Sequence, residues 1–233
     1  YSGPGRFRGV GGVLTGALGA VQDWTIIWRF TYSHSRDSLF EPRPANYFDL
    51  VSDPLSQAAE RAAICLFRRG DMSPARHSVA IAMTSDDVLR TPRSSRAVVP
   101  SWDWLALLAR VGTIVAKNPS DIATADLVLP LSWSVLRRER NDRVLAADPY
   151  AKDTDDRILA EMRKRGWLGS DNPTDVAARR FQSETGELVV DGPNDLLILD
   201  TPRTAGGYAP PGKKIETKSV SIAIEDTDAT VWV

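Results

Sequence analysis

The sequence predicts an alternating α/β segment followed by an antiparallel β module. Three observations predict it. Small and apolar residues at near-helical spacing run from Gly9 to Val21. An unbroken β-branched and aromatic run, Trp24 to Tyr32, comes directly after them. From Arg180 onward the apolar residues change to a period of two.

In the first helix, Val13, Leu14, Leu18 and Val21 mark one face, while Gly11, Gly12, Gly16 and Gly19 each cost about 1 kcal/mol against Ala. Such a helix survives only by packing closely on a neighbour. The Trp24 to Tyr32 run is apolar on both alternating faces, the pattern of a buried parallel strand. Asp53-Pro54 then offers an N-cap and a first-turn proline, and Leu55, Ala58, Ala62 and Leu66 recur on one helical face until Gly70. Further on, Ser78 to Met83 reads as a short strand. Ser101 is expected to cap a helix carrying Trp104, Leu105, Leu108 and Val111 that closes at Gly112. Asp153 to Arg165 reads as another helix, with Asp153 or Thr154 as cap, Asp155 and Asp156 at its positive end and Glu161 facing Arg165. Leu188 and Val190, then Leu196 and Ile198, then Val220, Ile222 and Ile224 form the β module, open at its last strand. Thr204 to Lys214, with three Gly and two adjacent Pro, reads as a mobile loop.

Composition removes several functions. Lys and Arg number 29 against 30 Asp and Glu, a net charge of -1, so no broad positive field draws nucleic acid or an anionic membrane. A single cysteine, Cys65, and two histidines, His34 and His77, leave a zinc-type centre short of ligands. Gly9-Val10-Gly11-Gly12 lacks the Lys and Ser/Thr of a phosphate loop, so no cofactor is expected. The Arg137 to Arg143 cluster is interrupted by Glu139 and Asp142 and reads as a solvated face, and Cys65 as an inert buried thiol. No apolar run is long enough for a spanning helix, and no signal-peptide pattern appears. The sequence leaves export open, and extracytoplasmic glycan work fits a chain without disulfides.

The densest set of ligand-capable side chains is Trp28 to Asp37. Aromatic faces beside hydroxyl, imidazole and guanidinium groups suit a sugar, which presents an apolar C–H face and a rim of hydroxyls. Trp28, Tyr32, His34 and Asp37 are the candidate substrate-binding residues. The plainer reading has Trp28 and Phe30 filling a core and His34 bonding a backbone carbonyl. No convincing pair of Asp or Glu residues for glycoside hydrolysis is found, because Asp23 precedes the strand, Asp53 is explained as a cap, and Asp37 and Glu41 at most orient a ligand.

The run Gln22 to His34, then Tyr47-Phe48-Asp49, Asp53-Pro54, Ala58 to Ala63 and Phe67 to Asp71, resembles the end of the catalytic barrel of large bacterial glycoside hydrolases similar to the clan A β-galactosidases. Phe181 to Leu188 and Leu197 to Thr204 resemble the β module that follows that barrel. The resemblance implies the carboxy-terminal end of a (β/α)8 barrel over residues 1–75, with Gln22 to His34 as its eighth strand. A mixed α/β connecting segment over 76–170 and a truncated, β-sandwich-like antiparallel module over 171–233 follow. It also implies a retaining mechanism with two catalytic glutamates, both upstream of Tyr1, and places Tyr32 near the family's aromatic platform with His34 as a hydroxyl partner. The start at Tyr1 and the end inside an apparent strand suggest a fragment with little or no hydrolase activity of its own. The rest of the parent chain is then its partner, with self-association through exposed apolar surface. A non-catalytic carbohydrate-binding or interaction module is the alternative.

Overall fold

The computed structural model describes residues 5, 7–45, 48–90, 102–115, 125–131 and 142–233. Helix α1 (Arg8–Val21) lies against α2 (Pro54–Ala63), which runs on as a π-turn over Ile64–Arg68. Glycines make the contact close: a Cβ on Gly16 would stand 2.5 Å from the Ala63 Cα, and one on Gly12 2.9 Å from the Ala59 carbonyl carbon. Asp53 caps α2 by accepting from the backbone N–H groups of Leu55 and Ser56, and its carboxylate also takes the Arg8 guanidinium at 3.1 Å. Burial alone would raise its pKa, but the Ser56 hydroxyl and N–H and the Arg8 side chain hold it below the ordinary aspartate value.

The second layer is an antiparallel sheet in the order β10-β7-β6-β5-β4, built from β4 (Arg180–Gln182), β5 (Leu188–Asp191), β6 (Leu196–Asp200), β7 (Ala205–Ala209) and β10 (Ala229–Trp232). Period-two alternation gives it two apolar faces. Leu188, Leu197, Leu199 and Tyr208 join Val13, Ala17, Ala62 and Leu66 of the helix pair in one core. Leu196, Ile198 and Val231 pack instead against Ile215 and Ile224 around the hairpin β8 (Lys214–Glu216) and β9 (Ser221–Ala223). The first and last segments of the chain therefore share a core across the expected boundaries at 75 and 171.

The stretch expected as a loop from Thr204 contains β7, all of it buried. Gly206 and Gly207 read as loop residues because they lack side chains, yet here that lack is what packs them. Both have positive φ, 152° and 147°, and a Cβ on Gly207 would overlap the Leu197 carbonyl oxygen of β6. Asp71, its side chain fully buried, ties the turn after α2 to the start of β7: it accepts from Arg69 and, at 2.6 Å, from the Thr204 hydroxyl, with Arg203 at 3.3 Å. The Arg69 hydrogen bond, more than offsetting burial, holds the Asp71 carboxyl below its ordinary value.

A parallel sheet, order β2-β1-β3, fills the middle: β1 (Ser78–Met83), β2 (Arg110–Val115) and β3 (Leu127–Pro130). Val79 and Ile81 of β1 face a core with Leu105, Leu108, Leu127, Leu129, Ile158 and Met162, the last two from α4 (Thr154–Lys164). The helix expected over 101–112 is only a 3-10 turn, Asp103–Leu107; Val111 and Gly112 belong to β2, paired with Val79 and Ala80. Their apolar spacing satisfies both periods over so short a span, and the available edge of β1 decides it. Ser101 and residues 137–140 of the basic cluster lie outside the described residues. α3 is a short helix, Ser85–Arg90.

Candidate functional site

The run from Trp24 to Tyr32 forms no ladder with any described strand. From Ile26 onward exposure alternates as in an extended chain: the odd positions Ile27 and Arg29 are half-buried and the even ones face outward. Trp28 is 83 % and Phe30 53 % exposed, so neither fills a core among the described residues. A strand needs neighbours on its edges as well as propensity, and among the described residues neither edge has a strand beside it.

Backbone hydrogen bonds hold the ribbon at its two ends, and at its start the Trp24 N–H donates to the Gly19 carbonyl at 2.9 Å. The Thr31 N–H donates to the Phe48 carbonyl at 2.9 Å, and the Leu50 and Val51 N–H groups donate to the carbonyls of Thr31 and Tyr32 at 3.1 and 3.0 Å. Gln57 of α2 holds the same turn through the Leu50 and Val51 carbonyls. The returning loop thereby brings Asp49 under His34. Asp49 Oδ1 accepts from the His34 backbone N–H at 3.2 Å and pairs with His34 Nδ1. The Asp49 side chain is 8 % exposed and the imidazole 48 %.

An ionised carboxylate only accepts, so this contact assigns the neutral ring's proton to Nδ1 and leaves the Nε2 lone pair free to accept a hydrogen bond. The Phe30 and Phe48 rings meet the imidazole edge-on, with centroids 5.2 and 5.9 Å away, and fix its plane. Trp28 and Tyr32, the latter 55 % exposed, stand outward on the even positions of the same ribbon. Asp37 is not part of this group: it is exposed, opens a 3-10 turn (Asp37–Leu39), and its backbone N–H donates to the Ser35 hydroxyl. Thus Tyr32, His34 and Trp28 share one ribbon. The partner the sequence did not pair with His34 is Asp49, fifteen residues on, a separation that no local periodicity links.

Glu60 is the second residue not foreseen. It lines a cavity of about 420 Å³ between α1 and the ribbon, with Gly11, Leu14, Thr15 and Leu18 on one wall and Ile27 to Phe30 on the other. Burial pushes its carboxyl above the ordinary glutamate range, and Arg29, whose Nε lies 3.3 Å from Oε1, offsets only part of this. The Arg29 Nε is nevertheless buried with no hydrogen-bond acceptor. An Arg three places before the end of a strand-like run and a Glu inside the next helix was the available signal.

His77 serves another purpose. Its Nδ1 pairs with Glu184 at 2.6 Å and its ring stacks on Trp167, centroids 4.5 Å apart, joining the entry of β1 to the turn before β5. Among the described residues no group of three or more His, Cys, Asp or Glu side chains is placed to hold a metal ion. No family model, curated protein or solved structure matches this chain.

Proposed function

We propose that these residues are part of a retaining glycoside hydrolase, of which the ribbon and its anchoring turn form one side of the sugar pocket. The observation that carries the reading is the His34–Asp49 pair set among outward-facing aromatic rings. The free Nε2 accepts a hydrogen bond from a sugar hydroxyl, and Asp49 positions the ring for it. Trp28 and Tyr32 offer flat apolar faces for the C–H side of a pyranose. The resemblance of Gln22 to Asp71 to a clan A barrel end supports the enzyme. It assigns the general acid and the nucleophile to glutamates outside these 233 residues, and this chain to binding and orientation. The second reading, a non-catalytic carbohydrate-binding module, is favoured by the solvent exposure of Trp28 and Phe40.

The test is turnover of aryl glycosides by the polypeptide of the complete reading frame, with the anomer of the product followed by NMR. Retention of configuration is expected, with no turnover by the 233 residues alone. His34→Ala is expected to raise KM about tenfold, roughly 1.4 kcal/mol of binding. His34→Gln, which restores an acceptor, should recover part of it. A complete polypeptide that binds oligosaccharides without cleaving them establishes the binding module instead. One that does neither removes both readings.

A further inference from the structure

The cavity of about 420 Å³ between α1 and the ribbon has the size of a small-ligand pocket, a range that begins at about 300 Å³. Arg29 and Glu60 are the charged residues that line it among the described residues. They meet imperfectly: Glu60 Oε1 lies 3.3 Å from Arg29 Nε, yet that N–H is shut off from solvent and makes no hydrogen bond. The opposite wall does not complete it. Gly11, Gly12, Leu14 and Leu18 carry no polar side chain, and the Thr15 hydroxyl is turned back onto its own helix, donating to the Gly11 carbonyl at 2.7 Å. A buried guanidinium N–H without an acceptor calls for a partner that the chain itself does not provide. Trp28 and Phe30 border the same space, so the unmet donor adjoins the aromatic residues of the sugar site.

We infer that this cavity receives the carboxylate of a sugar acid, with Arg29 selecting a uronic acid over a neutral sugar. This rests on the reading that the ribbon binds sugars, and it names their class. A carboxylate gives the planar guanidinium a matching partner, one oxygen accepting from the Nε–H in a charge-assisted hydrogen bond. The second oxygen then comes close to Glu60, and two carboxyl groups so near cannot both be ionised. Glu60 therefore meets the ligand as the neutral acid, its O–H donating to that second oxygen. Its surroundings suit the role: burial already pushes its carboxyl above the ordinary glutamate range, Arg29 offsets only part of this, and α1 brings no charged residue to the cavity. Where the free residue is ionised, its proton is taken from solvent as the ligand binds. A neutral sugar requires no such uptake.

Calorimetric titration of the 233-residue chain with methyl glucuronide and with methyl glucoside tests this. The glucuronide is expected to bind at least about tenfold tighter. Its Kd should rise with pH by up to about tenfold per unit where free Glu60 is ionised, with proton uptake read from the dependence of the heat on the buffer. Arg29→Gln should erase the preference. Glu60→Gln carries a neutral donor at every pH, so it should hold the glucuronide in alkaline buffer as tightly as wild type does in acid, with no proton taken up. Equal binding of the two sugars, binding of neither, a preference that survives Arg29→Gln, or a pH slope that survives Glu60→Gln overturns the inference. Aryl glucosides and aryl glucuronides given to the polypeptide of the complete reading frame separate the two readings. Cleavage of the glucosides alone overturns the sugar acid and leaves the proposed function standing. Preferential binding of the glucuronide with cleavage of neither does the reverse.

Discussion

Two stretches of this chain invert what their residues suggest. Trp24 to Tyr32 has the composition of a buried strand and is an exposed ribbon without a ladder; Ala205 to Ala209, Ala-Gly-Gly-Tyr-Ala, has the composition of a loop and is a fully buried strand. The difference lies in what flanks them. β7 runs between β6 and β10, with Gly207 paired to Ile198 on one side and Val231 on the other. The ribbon has helices behind one face and, among the described residues, no strand along its edges. Strand structure is thus a property of the neighbourhood, to which side-chain propensity makes a small contribution.

The sharpest way to break the contrast is Gly207→Ala. The added methyl meets the Leu197 carbonyl, at a φ of 147° that disfavours any side chain. The expected loss is at least about 3 kcal/mol of stability, read by urea denaturation. Next comes Asp71→Ala, which cuts the link between the turn after α2 and β7; removing a buried charged acceptor costs about 2 kcal/mol, measurable in the same way. The Asp71 carboxyl titrates below its ordinary value of 3.8 when folded. Its contribution is therefore complete above pH 3.8 and is lost as the pH falls through the folded pKa, so wild type and Asp71→Ala should converge in stability in strong acid. Asp53→Ala removes the α2 cap and should cost about 1 kcal/mol, visible as a lower Tm. At the small end, Trp28→Ser should change the stability of the 233 residues by less than about 0.5 kcal/mol; a large loss there would show that the ribbon is already packed and remove the contrast.

What was legible in the sequence is what is local. The helical face of α1, the Asp53 cap of α2 and the Glu161–Arg165 pair of α4, 2.8 Å apart, depend on residues within a turn or two of one another. The rest depends on distant partners. Val111 joins β2 because β1 offers an edge, and Gly206 and Gly207 form a strand because two others press on them. His34 stood out as a ligand-capable side chain at the end of a strand-like run. Its orientation by Asp49 is set by the path of the loop through Phe48 and by Gln57 holding that loop to α2, neither of which has a sequence period. Glu60 sat unnoticed in an ordinary helical pattern because its burial depends on the placement of Arg29.

The glycine seam between α1 and α2 sets a limit on how this region can change over generations. Even one methyl at Gly16 would run into the Ala63 backbone, and nothing flexible is there to give way. Since nearly every replacement of a glycine adds a side chain, accepting one at position 12 or 16 would require both helices to part. Glu60, Arg29 and the turn under His34 would shift with them. Variation that retunes the pocket is therefore channelled away from its supporting helices and onto the outward positions of the ribbon, where Trp28 and Tyr32 are free to be exchanged one at a time.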